Sequence, residues 1–361
     1  MSSDAKGSGE SIGLGFGPMI LVVLAAAVIV MAGTREIAGL IGPVFLALTL
    51  AVSARPAMAW LRRHGMPRAL TTIIVLAGLY AVLLGMVLVI GIAVAELANT
   101  LPSYGGRFSG LFNQGIAELA RHGFDTQAAR DAVRKFDITS LIGVAQSLAA
   151  GLTSTFSLLL FMLLSLAFLI LDTSDVSART SVLRRVRPLL ADALSDFAWR
   201  VRKYWVYSAI FGLILAAGDY VALLVIGVPL ALSWALLAFI CNFIPNIGFA
   251  IALVPPTLLA LLDSGPGKAL AVLISYAVIS FVVQTLMLPR FMGNAVGLNT
   301  TTTFMSLVFW ASVVGPLGAV LAIPLTLFCK AVLIDATPGL RWVGVFLSNE
   351  PTPAETVRMT Q

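Results

Sequence analysis

The sequence predicts an all-α, polytopic transmembrane protein with two interrupted segments and an extracytoplasmic amphipathic helical segment. Of the 361 residues, 59% are hydrophobic and only 11% are charged, which leaves too few polar side chains to cover a soluble globule of this size. Several apolar runs also approach the roughly 20 residues that a helix needs to cross a bilayer core about 30 Å thick. These two observations predict a membrane protein.

Six apolar runs have about the length expected of single spans, and two longer runs are interrupted near their centres. The six are Pro18–Gly33, Ile37–Val52, Ala69–Leu97, Leu152–Leu171, Trp205–Gly227 and Leu270–Leu288. The interrupted runs are Val228–Leu262, broken at Pro245, and Phe304–Ile334, broken at Gly315 and Pro316. Each break leaves halves of about 14 to 16 residues, which favours two re-entrant hairpins and six spans over eight complete spans.

Basic residues beside the spans predict the orientation, because Lys and Arg are retained on the cytoplasmic side. Ser53–Arg68 contains four arginines and no acid, and Asp172–Lys203 contains seven bases. Both segments are therefore expected in the cytoplasm. Asn99–Ala149 has five bases against four acids over a longer stretch and is expected outside. Both termini then fall in the cytoplasm.

This topology divides the chain into five regions. They are a flexible cytoplasmic tail at 1–17, N-terminal transmembrane helices at 18–97, extracytoplasmic amphipathic helices at 98–150, a transmembrane core at 151–335 and a cytoplasmic tail at 336–361. In the third region Phe108, Leu111, Phe112, Ile116 and Leu119 recur at helical spacing. We interpret this region as a packed extramembrane cap, with a lipid-surface or ligand-gating role as the alternative.

Several kinds of site are missing from the sequence. SGPGKA, from Ser264 to Ala269, fails as a phosphate loop, because Leu262 stands where the first glycine belongs and Ala269 replaces the Ser or Thr that holds magnesium. Two histidines, no HExxH and no GxSxG leave hydrolytic chemistry almost no residues. Cys241 and Cys329 are too far apart to predict a disulfide or metal site. Because the bases flank spans, no nucleic-acid partner is expected. The missing motifs in turn predict no enzyme activity and no cofactor.

The stretch CNFIPNIG, Cys241–Gly248, breaks a helix where breaking it is costly. In lipid, a non-helical stretch persists only where protein buries it or where it lines a wet cavity. Pro245 lacks an N–H and Gly248 permits a reversal, so one half-helix ends and another begins. The amides of Asn242 and Asn246 would then face a common point, which is a binding geometry for a polar solute. The alternative is a proline kink whose asparagines bond neighbouring helices.

A second break, VVGPLG at Val313–Gly318, favours the binding site over the kink. Paired interrupted segments with a full span between them are typical of transporter sites. We expect the two tips, Asn242–Gly248 and Val313–Gly318, to approach each other near the middle of the membrane.

These stretches also resemble a known family. GVPLALSWALLAFICNFIPNIG, VPP at Val254–Pro256, LPRFMG at Leu288–Gly293, GLN at Gly297–Asn299 and FWASVVGPLGAVLAIPLT at Phe309–Thr326 resemble the autoinducer-2 exporter family of bacterial membrane proteins. The resemblance covers roughly Gly227 to Lys330 and points to the branch that exports the quorum-sensing signal itself. It implies an inner-membrane secondary carrier or facilitator for a small, hydroxyl-rich, uncharged solute, with 151–335 as the transport core. It also implies a homo-oligomer, a pentamer being one candidate.

Two further polar residues are candidates within the apolar segments. Where the family carries polar or acidic residues before the proline of LPRFMG, this chain has QTLML, which offers the amide of Gln284 but no carboxylate for cation coupling. Asp219 is the one acid well inside a span and is a candidate for ion coupling, because burying a carboxylate is costly. The alternatives for Asp219 are an ion pair with Lys268 or Arg290, or a position nearer the interface.

The expected function is export of an autoinducer-2-like solute. The expected substrate-binding residues are Asn242, Pro245, Asn246, Gly248, Gln284, Gly315 and Pro316, with Asp219 as the candidate ion-coupling residue. The second hypothesis is a sodium or lithium/proton antiporter that uses Asp219. The third is a membrane scaffold that assembles through glycine-rich helix faces without transport activity.

Overall fold

The computed structural model describes most of the chain between residues 31 and 348. The described residues are 25, 29, 31–100, 106, 110, 116–117, 120–122, 127, 143, 158–172, 176–245, 247–288, 290 and 297–348. The predicted first span Pro18–Gly33, the predicted amphipathic region 98–150 and Asn246 therefore lie wholly or largely outside the described residues.

The regular structure of the described residues is helical, with no strand among them, as the sequence predicts. In chain order the helices are α1 (Ala38–Arg63), α2 (Arg68–Thr100), α3 (Leu158–Asp172), α4 (Val176–Val186), α5 (Pro188–Ile226), α6 (Ala231–Cys241), α7 (Gly248–Ser264), α8 (Pro266–Ser280), α9 (Thr300–Val314), α10 (Pro316–Val320), α11 (Ala322–Cys329) and α12 (Arg341–Leu347). π-helical stretches continue α8 through Phe281–Met287 and α11 through Lys330–Asp335. A 3-10 turn at Pro338–Leu340 precedes α12.

Four of the described helices are long and apolar enough to cross a membrane. They are α1, the Arg68–Glu96 part of α2, α5, and α8 with its π-helical extension. The number is five if Ala322–Asp335 and Pro338–Leu347, which meet at an angle of 114°, are counted as one broken span. Only 6% of the residues in the most apolar part of α2 are buried. This helix therefore presents apolar side chains on nearly all sides, as lipid contact requires. The helices support the multi-pass membrane protein that the composition predicts.

The longest helix, α5, begins earlier than the sequence predicts. The predicted span is Trp205–Gly227, whereas the helix runs through 39 residues from Pro188 to Ile226. Its first part, together with α4, forms the basic segment that was expected to connect two spans. This segment is helical because Ala, Leu and Arg are strong helix formers, and because proline is well tolerated at the first helical position. The helix ends where predicted, at Gly227, whose φ of 78° is left-handed.

Two hydrophobic clusters lie along α5. Around its first half, Phe197 and Val201 pack with buried side chains of α1, α3, α9 and α11. Around its second half, Phe211, Leu215 and Leu223 pack with α6, α7 and α8. The first half of α5 therefore packs on the second interrupted segment, and its second half packs on the first interrupted segment. Because α5 is continuous, it fixes the two segments relative to each other.

The first interrupted segment folds back on itself. α6 ends at Cys241 and α7 begins at Gly248, as the CNFIPNIG pattern predicts, and the two helices pack against each other. At the open end of the pair, the side-chain nitrogen of Lys268 lies next to Gly227. The residues that precede α6 and the residues that follow α7 are therefore at the same end of α5.

The second interrupted segment also folds back. α9 ends at Val314, and the break predicted at Gly315 is present, with a φ of 79° at that glycine. A hydrogen bond of 2.9 Å from the indole nitrogen of Trp310 to the hydroxyl of Thr326 joins α9 to α11. The residues between these two therefore form the closed end of this pair of helices.

A further break, which the sequence analysis missed, divides the returning half of this segment. α10 ends at Val320, and α11 begins one residue beyond Leu321. Pro324 explains the interruption, because it has no N–H to donate to the carbonyl of Val320, four residues earlier. The apolar run around Pro324 predicts a continuous half-helix, and the structure shows two shorter helices instead.

Candidate functional site

A cavity of about 340 Å³ lies where the first break meets α5, the end of α8 and the start of α9. Side-chain amides and hydroxyls from these elements face it. The described residues that line it are Tyr204, Ser208, Asn242, Ile244, Pro245, Phe249, Gln284, Leu288, Leu298, Thr300, Thr303 and Ile323. Half of these lining residues are apolar and none is Asp, Glu, Lys or Arg, so the described wall of the cavity is uncharged and combines polar with apolar side chains.

Two hydrogen bonds hold the first break against α5. The side-chain nitrogen of Asn242 donates to the backbone carbonyl of Ser208 at 3.0 Å. The hydroxyl of Tyr204 donates to the backbone carbonyl of Phe243 at 3.1 Å. The end of α6 leaves carbonyls without helical partners, and the Tyr204 bond satisfies one of them where water is scarce. Within the described residues no donor bonds the side-chain oxygen of Asn242, so this oxygen can accept a hydrogen bond from a solute.

Gln284 is the polar group that the π-helical stretch brings to the cavity. π-helical turns are rare and recur at functional sites, because each inserts a residue into an otherwise regular helix. Within the described part of the chain, the amide of Gln284 has no hydrogen-bond partner, and it faces the open space of the cavity. An amide in this position can both donate to and accept from a solute hydroxyl.

The start of α9 forms another wall of the cavity. The side-chain oxygen of Asn299 caps this helix by accepting from the N–H of Thr302 at 2.7 Å, and the hydroxyl of Thr303 donates to the backbone carbonyl of Asn299 at 3.0 Å. Thr300 and Thr303 line the cavity, although the sequence analysis did not select them. The available signal was an Asn followed by four threonines before an apolar run, which is typical of a helix N-terminus.

Asp219 lies in α5 and is fully buried, with an exposure of 0%. Among the described residues, no hydrogen-bond donor reaches either oxygen of its carboxyl group. Neither base that we considered as its partner pairs with it, since the side-chain nitrogen of Lys268 lies next to Gly227 and Arg290 is exposed. The structure therefore places an unpaired acid in an apolar interior, where an unpaired charge is costly.

A second, much smaller cavity of about 10 Å³ adjoins Asp219, which is about the space that one water molecule needs. Tyr276, Ser280, Asn242 and Gln284 contribute polar groups to its wall. The hydroxyl of Tyr276 is buried and also lacks a partner among the described residues. Since Asn242 and Gln284 line both cavities, Asp219 is one layer of side chains away from the larger one.

Two more predicted residues of the first break lie at these cavities, and a third is not described. Pro245 lines the larger cavity and Gly248 the smaller, whereas Asn246 lies outside the described residues. Gly248 also permits a close approach of the two half-helices, because a Cβ at this position would overlap the carbonyl oxygen of Cys241. The close packing of α6 on α7 therefore requires glycine here.

The second break lies elsewhere. Gly315 and Pro316 are not among the described residues that line either cavity, and Pro316 is exposed. The flanking side chains of Val314 and Leu317 instead lie against Gly42 of α1. Within this segment Ile323 of α11 lines the larger cavity, and Thr300 and Thr303, at the start of α9 just before the segment, line it as well.

The two interrupted segments do meet, through one side chain of the first break. Ile244 packs against an apolar cluster formed by Leu307 of α9, Ala319 of α10 and Ala322 of α11. The contact is apolar, so it closes the space between the two segments without adding a polar group. The predicted approach of the two tips therefore takes the form of Ile244 against the region just beyond Val313–Gly318.

The chain is similar to several proteins that are named as transport proteins. The family model described as AI-2E family transporter matches residues 19–337. The chain is 30% identical to the AI-2 transport protein TqsA of Escherichia coli (strain K12), over 92% of this chain and 96% of that protein. It is 27% identical to YhhT of the same strain, over 90% of this chain and 92% of that protein. A protein of Haemophilus influenzae is 27% identical over 88% and 93%, and both of these relatives bear provisional transport-protein names.

We predict that Gly248→Ala destabilises the protein by about 1 to 3 kcal/mol, the usual cost of overpacking, because the new methyl group would overlap backbone that cannot rotate away. Gly267→Ala is the matched control, since a Cβ on this helical glycine meets no atom within 4 Å. Thermal unfolding of the purified protein in detergent measures both effects. The midpoint should fall for Gly248→Ala and hold or rise for Gly267→Ala; equal midpoints would contradict the close approach.

Proposed function

The chain belongs to the AI-2E transporter family, and from this premise we propose that it exports a small, polar, uncharged solute of the autoinducer-2 kind. The observation that carries the proposal is the cavity of about 340 Å³, whose described wall is uncharged and presents amides and hydroxyls among apolar side chains. The name of the relative TqsA, which identifies that protein as an AI-2 transport protein, supports the choice of solute. The transport names of the relatives also agree with a carrier rather than an enzyme.

The chemistry of the wall favours a neutral, hydroxyl-rich solute. Amides and hydroxyls can each serve as donor and acceptor, which matches the hydroxyl groups of such a molecule. A charged solute would be left without a counter-charge in a low-dielectric site, which is costly. The volume lies at the lower end of the range for small-molecule pockets, about 300 to 1,000 Å³, and so fits a small solute.

The proposed transport core contains two re-entrant hairpins. α6 has 11 residues and is about 16 Å long at 1.5 Å per residue, which is well short of a bilayer core about 30 Å thick. The proximity of Lys268 to Gly227 supports a hairpin, because a complete crossing of Val228–Leu262 would separate these two residues by the membrane. A hydrogen bond of 2.7 Å from Ser233 to Glu96 sets the open end of this hairpin beside the end of α2, which the charge distribution predicts to be outside.

The same orientation determines the proposed location of the termini and of residues 98–150. The protein would lie in the bacterial inner membrane with both termini in the cytoplasm, and residues 98–150 would form the extracytoplasmic segment. Homo-oligomeric assembly, with a pentamer as one candidate, stays a prediction from the resemblance.

A scaffold without transport activity has no need of a cavity lined by polar side chains, so the cavity favours a carrier.

A second candidate function is cation/proton exchange, which the environment of Asp219 favours. Its carboxyl group is buried without a partner, in contact with a cavity that admits about one water molecule. A proton or a small cation bound there would remove the cost of the unpaired charge. Export of a neutral solute and exchange of an ion at Asp219 are compatible, because the two cavities share Asn242 and Gln284.

The hairpin topology predicts opposite accessibility for single cysteines at Ser264 and Thr301. In a background without Cys241 and Cys329, an impermeant thiol reagent added to intact spheroplasts should label Ser264→Cys and leave Thr301→Cys unlabelled. Lysis should make both reactive, which controls for local burial, as both residues are exposed. Labelling of Thr301→Cys alone from outside would establish eight complete spans.

We predict that Gln284→Met raises the KM for labelled autoinducer-2 in proteoliposomes by about 2- to 10-fold, the loss expected for one hydrogen bond. Methionine keeps the length of the side chain but removes the amide. Thr285→Val is the matched control, because Thr285 is adjacent, exposed and absent from the lining of either cavity. An unchanged KM in Gln284→Met would remove this cavity from the proposed pathway.

We predict that Asp219→Asn abolishes the dependence of transport on an imposed proton or sodium gradient, since coupling requires a group that changes charge. Solute counterflow without a gradient should persist, because the amide keeps the shape of the side chain. Asp263→Asn, in the same core but outside both cavity linings, is the control. Unaltered gradient dependence in Asp219→Asn leaves this residue with a structural role only.

A further inference from the structure

The terminal helix α12 leaves the direction of the apolar helix that precedes it. Residues 338–347 lie at 114° to Ala322–Asp335. On α12, Trp342 and Phe346 are 58% and 71% exposed, and their rings meet edge to face with centroids 6.2 Å apart. A short helix that turns aside from an apolar helix and carries exposed aromatic rings has the properties of an interfacial helix.

Charged groups fix the bend before α12. The ammonium group of Lys330 pairs with the carboxylate of Asp335 at 2.8 Å, and Arg341 donates to the backbone carbonyl of Asp335 at 3.4 Å. Lys330 is therefore held by an acid one turn away, and it also lies near Gly344 of α12. The bend is stabilised by contacts within the chain, which gives α12 a defined direction.

The end of α12 is bonded to the residue that caps α9. The side-chain nitrogen of Asn299 donates to the carbonyl of Phe346 at 2.8 Å, and its backbone N–H donates to the carbonyl of Leu347 at 2.8 Å. These carbonyls belong to the last turn of α12, where a helix leaves acceptors without internal partners. We call these two bonds the Asn299 bridge. The same side chain caps α9 through Thr302, so one residue joins two helix ends.

The bridge lies at the edge of the larger cavity. Leu298, which precedes Asn299, and Thr300, which follows it, both line that cavity. Gly297 has a φ of 66°, and the guanidinium of Arg200 occupies the space that a Cβ on Gly297 would take. Residues 297–300 are thus enclosed by α5 on one side and bonded to α12 on another.

We propose that α12 binds the headgroup region of the bilayer and that the Asn299 bridge transmits its position to Thr300 and Thr303. Asn299 is then a positioning residue, since it acts on the cavity through its neighbours. The bilayer is the occupant of the exposed face because α12 follows the apolar helix Ala322–Asp335 after a short bend and carries the exposed Trp342 and Phe346 beside the basic Arg341. The effect on transport rests on the proposed function of the cavity; the binding of α12 to lipid does not.

Spin labels test the lipid contact without reference to transport. Labels are attached to Trp342→Cys, Phe346→Cys and, as a control on a partly buried position, Val343→Cys, in protein without other cysteines reconstituted into liposomes. At 342 and 346, collision with oxygen should exceed collision with a water-soluble nickel chelate, and the label at 343 should be protected from both reagents. A preference for nickel at 342 and 346 means that α12 lies in water, and protection from both means that another copy of the chain covers it. Either result overturns the lipid assignment.

Asn299→Asp tests the bridge with the helix cap preserved. Aspartate caps as well as asparagine does, but it has no N–H to donate to Phe346. The label at 346 should become more mobile, and the KM for labelled autoinducer-2 should rise about threefold or more with kcat unchanged, as expected from the loss of one hydrogen bond. Asn299→Ala, which removes the cap together with the side-chain bond of the bridge, should add a lower thermal midpoint.

The outcomes separate the two proposals. An unchanged spectrum at 346 in Asn299→Asp overturns the bridge, and a changed spectrum with an unchanged KM overturns its link to the cavity. If the wild-type protein does not transport the solute at all, the proposed function fails, while the spin-label measurements still decide whether α12 lies at the lipid interface.

Discussion

The fold depends on one constraint, that backbone polar groups exposed by a helix break must find partners inside an apolar environment. At the first break α5 supplies such a partner, since the Tyr204 hydroxyl donates to the backbone carbonyl of Phe243, and the Ser208 carbonyl also accepts from the side chain of Asn242. Because α5 has to run past the break to do so, it brings polar side chains into the same space. The cavity thus follows from the way in which the break is stabilised. Its polar side chains are already held in place by the bonds between α5 and the break.

The two interrupted segments are both broken by glycine and proline, but their breaks lie in different surroundings. CNFIPNIG includes amides, and its closed end faces a polar cavity. VVGPLG includes none, and its flanking side chains pack on Gly42 of α1. A glycine permits a close backbone approach in both, since a Cβ on Gly318 would overlap the carbonyl of Trp310 as one on Gly248 would overlap that of Cys241. Gly and Pro therefore determine where the chain reverses, and the neighbouring residues determine whether the reversal faces a cavity or packs on another helix.

The sequence was sufficient for the features that depend on local rules. Apolar length predicted the four described helices that are long enough to cross a membrane, and Pro245 and Gly315 predicted the two main reversals, because chain breaking is a property of the residues themselves. Asp219 could be found because a carboxyl group inside an apolar run is rare. The remaining walls of the site could not be predicted in the same way, since Tyr204 and Ser208 reach the break only through the packing of α5, 34 or more residues away in sequence. The partner of Asn299 likewise comes from a helix 47 residues further along the chain.

The unbroken course of α5 has a consequence for changes in chain length. Val201 belongs to one hydrophobic cluster and Phe211 to the other, with Tyr204 and Ser208 between them. A residue inserted in this interval would turn every later side chain by about 100° and advance it by about 1.5 Å. No single rotation of the helix could then restore both clusters and the contacts of the break. Surface loops in general tolerate insertions and deletions, whereas residues 201–211 form a stretch in which the number of residues, as well as their identity, is fixed by the structure.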